Sequence, residues 1–168
     1  MSAWVALLRA VNVGGTGKLP MAELKALCEA IGLAQVRTYI ASGNVVFASV
    51  LNEAELKARI EATLEAQYGK RIEVLVRSGS DMARAMQANP WPGRPGNRVV
   101  VIFCDAPLSL EGMTGQRGEV VKLGQRELFV DYGEGMADTR LRIPRAKAGT
   151  ARNMNTVSKL AAMAAELA

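Results

Sequence analysis

The chain has no histidine, two cysteines, few aromatic residues and no apolar run of membrane-spanning length. Without histidine, mechanisms built on imidazole are excluded: Ser-His-Asp hydrolysis, Cys-His proteolysis and the HExxH zinc sites. Cys28 and Cys104 lie far apart, outside any CxxC spacing, so neither a zinc site nor a disulfide framework is expected. Both sit among apolar neighbours and read as buried thiols. No metal and no cofactor are expected. A bilayer span needs roughly 18 consecutive apolar residues, and no stretch comes near that. Arg9, the earliest cation, falls inside the apolar stretch Trp4–Val11 instead of ahead of it. The N-terminus therefore reads as a strand and not as a secretory signal. The expected location is the cytoplasm, with no membrane partner.

The residues that are present describe a globular chain. Its 168 residues are 49% hydrophobic and 22% charged, enough for a real core and unlike a disordered sequence. Strand Trp4–Val11 is followed by a glycine-rich loop, Asn12–Gly17. A helix begins at Pro20, with Met21, Leu24, Leu27, Cys28 and Ile31 at helical spacing and Gly32 at its end. Strands Val36–Ile40 and Val45–Phe47 flank the turn Ala41–Asn44. Asn52 and Glu55 form a capping-box pair ahead of a second helix, lined by Leu56, Ile60 and Leu64 and closed by Gly69. Strand Ile72–Val76 completes β-α-β-β-α-β, the ferredoxin-like order.

A short helix from Ser80 or Asp81 to Gln87 leads into residues 89–97, which hold three of the six prolines and read as a boundary. Beyond it come strand Arg98–Cys104, a weak turn or helix over Pro107–Gly112, and a hairpin from Glu119–Leu123 to Glu127–Tyr132. An irregular basic stretch runs to Thr150, and a final helix starts at Asn153 or Asn155. The expected fold is α+β: two ferredoxin-like-related sandwich halves with antiparallel-rich sheets. Residues 1–88 form the first half, 89–97 the linker and 98–168 a partial β-α-β-β-α repeat lacking its last strand, the two packed as one compact unit. The first and third strands carry apolar residues on both faces, which implies a sheet covered on both sides. That pattern, with no aromatic platform on the third strand, argues against an RNA-recognition motif.

Four features could carry function. The loop before Lys18 lacks the glycine and hydroxyl spacing of a Walker phosphate loop, leaving an ordinary loop or a weak anion site at Lys18 and the loop amides. Arg9 lies in an apolar strand, so it needs either a partner such as Glu73 or an anion at a cleft. Ser42-Gly43-Asn44 suits a hairpin turn or a polar tip that contacts a ligand. From Thr139 to Lys159 there are six cations (Arg140, Arg142, Arg145, Lys147, Arg152 and Lys159) and no acid. With a net charge of +5, the whole basic excess lies in that segment. It is either a solvated face or a site for phosphate, which arginine forks match well. Asn153, Asn155 and Thr156 add polar groups at a helix start, where anions are favoured.

The segments Ala6–Gly15, Met21–Leu24, Val36–Phe47 and Thr150–Thr156 resemble the bacterial family named domain of unknown function 1697. Members usually have glycine at position 10 and tryptophan at position 154, where this chain has Ala10 and Met154. The resemblance implies a two-part α+β fold and no assigned activity. It points to Arg9, Asn12, Arg37, Ser42, Gly43, Asn44, Arg152, Asn153 and Thr156.

The expected function is a binding module for nucleic acid or another phosphorylated polyanion, acting through the basic C-terminal segment as a monomer or homodimer. The alternative is a small enzyme acting on a nucleotide or phosphorylated small molecule in a cleft between the two halves. Asp131, Tyr132 and Asp138 are then the available acid–base groups.

Overall fold

The computed structural model describes residues 1–12, 18–134 and 136–167. They form two compact units, Met1–Met82 with Leu160–Ala168, and Ala83–Lys159. The first unit contains β1 (Ser2–Leu8), α1 (Met21–Ala30), β2 (Ala34–Thr38), β3 (Asn44–Ser49), α2 (Glu53–Tyr68) and β4 (Val74–Ser78). Its strands pair antiparallel in the order β2-β3-β1-β4, the ferredoxin-like arrangement expected from the sequence. Strand β1 stops earlier than its apolar pattern suggests, because Ala10 and Asn12 both adopt φ 55°. This left-handed backbone ends a strand and suits glycine, the residue usual at position 10 in the resembled family.

One face of the sheet presents Ala6, Leu8, Val45, Phe47, Val74 and Val76 to Leu24 and Cys28 of α1 and to Leu56, Ile60 and Leu64 of α2. On the other face Val5, Leu7, Val46 and Leu75 are buried too, so the sheet is covered on both sides. Helix α2 begins with the full capping box: Asn52 Oδ1 accepts from Glu55 N–H at 2.9 Å and Glu55 Oε1 accepts from Asn52 N–H at 3.1 Å. Gly69 closes it in the left-handed region.

Helix α3 (Gly79–Gln87) carries the unit boundary, and the proline-rich segment beyond it falls within the second unit. There Arg94 Nε lies 3.4 Å from Asp131, and Gly96 O accepts from Met154 N–H at 3.0 Å. The second unit has strands β5 (Val99–Phe103), β6 (Val120–Leu123), β7 (Glu127–Asp131) and β8 (Thr150–Asn153), in the antiparallel order β6-β7-β5-β8. The half ends on its last helix with no strand after it, as expected, but its sheet gains a fourth strand, β8, ahead of that helix, and no helix stands between β5 and β6. Strand β8 pairs with β5, placing Arg152 opposite Val101. Over Pro107–Gly112 the chain forms a turn at Glu111 and Gly112, and no helix. Helix α4 (Met154–Leu167) starts in the second unit, and its last turns count with the first.

Candidate functional site

The basic stretch after β7 is irregular but anchored. Thr114 and Arg142 exchange backbone hydrogen bonds at 3.0 and 2.9 Å. The Thr139 hydroxyl donates to Glu119 Oε2 at 2.5 Å, and Arg117 N–H donates to Glu119 Oε1. Leu141 and Ile143 pack with Cys104, Leu128, Val130 and Ala146, while Arg140 and Arg142, alternating with them, are exposed. This period-two pattern turns apolar residues inward and cations outward without a strand partner along the whole stretch. Arg145 and Lys147 are exposed as well, and Arg145 lies 3.3 Å from Glu111. An exposed pair of this kind contributes roughly 0–1 kcal/mol and leaves the arginine available to a stronger anion.

Glu119 holds this stretch by its carboxylate. The Thr139 hydroxyl, the backbone N–H of Arg117 and that residue's positive charge keep its pKa below the ordinary value. A carboxylate depressed in the folded state contributes stability that is complete above its unfolded pKa, about 4.3. That contribution disappears as pH falls through the folded value. In thermal melts, Glu119→Gln should be less stable than wild type at pH 7, and the difference should shrink steadily below about pH 4. A difference that stays constant from pH 7 to pH 3 would assign the loss to shape instead of charge.

The remaining cations of the segment separate into two environments. Lys159 is exposed. Arg152 is 6% exposed; its guanidinium donates to Thr150 Oγ1 at 2.6 Å and to Ala151 O at 2.9 Å, and burial pushes its pKa down to about 10. The expected anion site at the start of α4 is largely occupied by its own chain. Asn153 Oδ1 accepts from Thr156 N–H at 3.0 Å as a helix cap, and Met154 N–H is bound by Gly96 O. Thr156 is buried, and Asn155 is exposed beside Gly96. Met154 is buried as well, away from any stacking role on the surface.

Several candidates in the first unit are structural. Asn12 donates to Leu19 O at 3.0 Å and Ala41 O at 2.8 Å, and accepts from Leu19 N–H at 2.6 Å. Asn44 is fully buried and donates to Tyr39 O at 2.8 Å and Ser42 Oγ at 2.9 Å, so the Ser42-Gly43-Asn44 turn is held from within. Arg37 pairs with Glu166 at 2.5 Å. Arg9 lies just past the end of β1, half-buried, with its N–H bound by Glu73 O at 2.9 Å. Together with Lys18 it lines a cleft of about 520 Å³, shared with Tyr68, Lys70, Arg71 and Glu73. Lys70 and Arg71 were not among the expected site residues, although their position directly after the Gly69 cap is visible in the sequence. The loop amides of Val13–Gly17 lie outside the described residues.

The acid–base candidates have settled environments. Asp131 is buried, accepting from Gly133 N–H at 2.9 Å and facing Arg94. Burial and the charge of Glu119 push the Tyr132 phenol up, so it is neutral at pH 7. Asp138 is exposed in a short 3-10 turn. Cys28 is buried, and desolvation pushes its thiol up to about 12, which removes it as a nucleophile at neutral pH. Among the described residues no cluster of acids and cysteines is arranged to hold a metal, and no helix is long and apolar enough to cross a membrane.

A family model described as a protein of unknown function, DUF1697, matches residues 1–129. A solved structure of a conserved bacterial protein from Streptococcus pneumoniae is similar over 97% of this chain and 98% of its own, with 26% identity and a TM-score of 0.80. No curated protein matches.

Proposed function

This chain belongs to the DUF1697 family of proteins of unknown function, and we propose that it binds a phosphorylated polyanion, a single-stranded nucleic acid above all, through the basic segment Arg140–Lys147. The observation that carries this reading is the exposure of Arg140, Arg142, Arg145 and Lys147 on a backbone fixed by the Thr114–Arg142 pairing. A fixed backbone lowers the ordering cost of binding, and arginine forks suit phosphate oxygens. The absence of any acid from Thr139 to Lys159 leaves that run of sequence without an opposing charge of its own. An acid–base reading has less support, because Asp131 and Tyr132 are engaged with their own unit.

The test is retention on immobilised single-stranded RNA or heparin at low salt. Neutralising Arg140, Arg142, Arg145 and Lys147 together should abolish it. The slope of log affinity against log salt should flatten by roughly 0.7 for each phosphate no longer engaged. The variant should melt close to wild type, since exposed substitutions of this kind usually change stability by about 0.5 kcal/mol or less. A wild-type protein that is not retained even at low salt would overturn the reading.

A further inference from the structure

We propose that the basic segment is one wall of a two-walled site, that Arg117 on the other wall is a further phosphate contact, and that the two walls grip a single nucleic-acid strand by its backbone without regard to base sequence. This second wall presupposes the polyanion reading of Arg140–Lys147 and adds to it a residue from outside the charge run. The stretch Thr114–Gly118 lies against Thr139–Arg142. Thr114 and Arg142 exchange two backbone hydrogen bonds, and Gly115 approaches the Arg140 carbonyl so closely that an added Cβ would overlap it. The Glu119 carboxylate joins the two stretches: one oxygen accepts from Arg117 N–H and the other from the Thr139 hydroxyl at 2.5 Å. The Gln116 side-chain amide donates to Glu119 O at 2.6 Å and closes the turn. Arg117 is thereby held one carboxylate away from Thr139, the neighbour of Arg140, across more than twenty positions of sequence.

Arg117, Arg140 and Arg142 are all exposed. Glu119, the carboxylate between the two stretches, is 5% exposed and committed to the bonds just described. The Arg117 charge acts on it, but the arginine itself stays in water. Glu111 is engaged by Arg145. Asp138 is exposed in the 3-10 turn ahead of Thr139, so an anionic strand leaves the three arginines toward Arg145 and Lys147 and away from Asp138.

The closeness of the three arginines indicates the class of strand. Arg140 and Arg142 are rooted about 6.5 Å apart on extended backbone, and Arg117 belongs to a stretch about 5 Å to the side. A flexible single strand can fold consecutive phosphates onto so small a cluster. A duplex is a rod with a persistence length of about 150 base pairs, and its grooves hold the phosphates of its two strands apart, so fewer reach the same arginines. The rings of the second unit offer no stacking platform: Phe103 and Phe129 are buried, and Trp91 and Tyr132 are half-buried. Contacts then fall on phosphate and sugar, which carry no sequence information.

The test is fluorescence anisotropy on the full chain across a salt series, with oligo(U), oligo(C) and an RNA duplex of the same length as probes. Arg117→Gln should weaken oligo(U) binding severalfold at low salt and flatten the slope of log affinity against log salt by roughly 0.7. Its melting temperature should stay near wild type, because the bond to Glu119 comes from the backbone N–H and survives the substitution. Arg59→Gln, at an exposed arginine of α2, removes the same charge and should leave the slope unchanged. Oligo(U) and oligo(C) should bind with similar affinity, and the duplex several times more weakly. Wild-type binding together with an unchanged slope in Arg117→Gln overturns the second wall and leaves the basic segment its role. An equal loss in Arg59→Gln assigns the effect to net charge and overturns it as well. A duplex bound as tightly as oligo(U), or a marked preference between oligo(U) and oligo(C), overturns the backbone grip on a single strand. A wild-type protein that binds none of these RNAs at low salt overturns the polyanion reading itself, and the second wall with it.

Discussion

Gly43→Ala should destabilise the protein by about 3 kcal/mol, combining roughly 1–2 kcal/mol for left-handed backbone with roughly 1–3 kcal/mol for overpacking. Gly43 sits at φ +88°, and an added Cβ would stand 2.6 Å from Val11 Cγ2 and 2.9 Å from Leu8 Cβ. Neither neighbour can give way: Leu8 is fully buried, its N–H is bound by Gly43 O at 2.9 Å, and Val11 is 6% exposed. Asn44, tied to Tyr39 and Ser42, stops the turn from swinging outward. The melting temperature should fall by roughly 6–12 °C for a chain of this size. A drop of only 1–2 °C would mean that the turn relaxes, and Ser42-Gly43-Asn44 would regain its claim as a ligand-contacting tip.

Gly115→Ala should break the anchorage of the basic segment. Gly115 has φ +76°, and a Cβ there would land on the carbonyl of Arg140, well inside van der Waals distance. Backbone cannot rotate away as a side chain can, so the segment must lift. The two bonds between Thr114 and Arg142 are the nearest to yield. Protection of the Thr114 and Arg142 amides from hydrogen exchange should drop by roughly a hundredfold, the equivalent of about 2–3 kcal/mol of missing bonds and added strain. The Val130 amide, inside the sheet, should stay protected, marking the change as local. If the Thr114 and Arg142 amides keep wild-type protection, the segment is not held by this approach.

Local features were the legible ones. The capping box at Asn52 and Glu55, the left-handed stop at Gly69 and the hairpin around Gly124 each depend on groups within a few residues of one another. The double-sided apolar pattern of β1 and β3 likewise announced a covered sheet. Strand β8 stayed hidden for a physical reason. Its alternation is intact, but the inward residues are Thr150 and Arg152, so a search for hydrophobic periodicity finds nothing there. The same misdirection affected the cations. Arg9 stands in the sequence as a charge among apolar residues, yet it is only half-buried, whereas Arg77 and Arg152 are buried far more deeply.

From the sequence alone follow the β-α-β-β-α-β order of the first unit, the antiparallel α+β class and the gathering of the basic excess between Thr139 and Lys159. These are properties of neighbours along the chain, where side-chain period, caps and charge runs act directly. The tertiary structure alone decided which of those cations face water, since exposure depends on partners distant in sequence. Pairing of β8 with β5 draws Arg152 inward opposite Val101, while Leu141 and Ile143 turn Arg140 and Arg142 outward. It also decided that Lys18 and Arg71, more than fifty residues apart, line one cleft with Arg9 and Lys70. No local pattern encodes that meeting, because sheet register and helix packing create it.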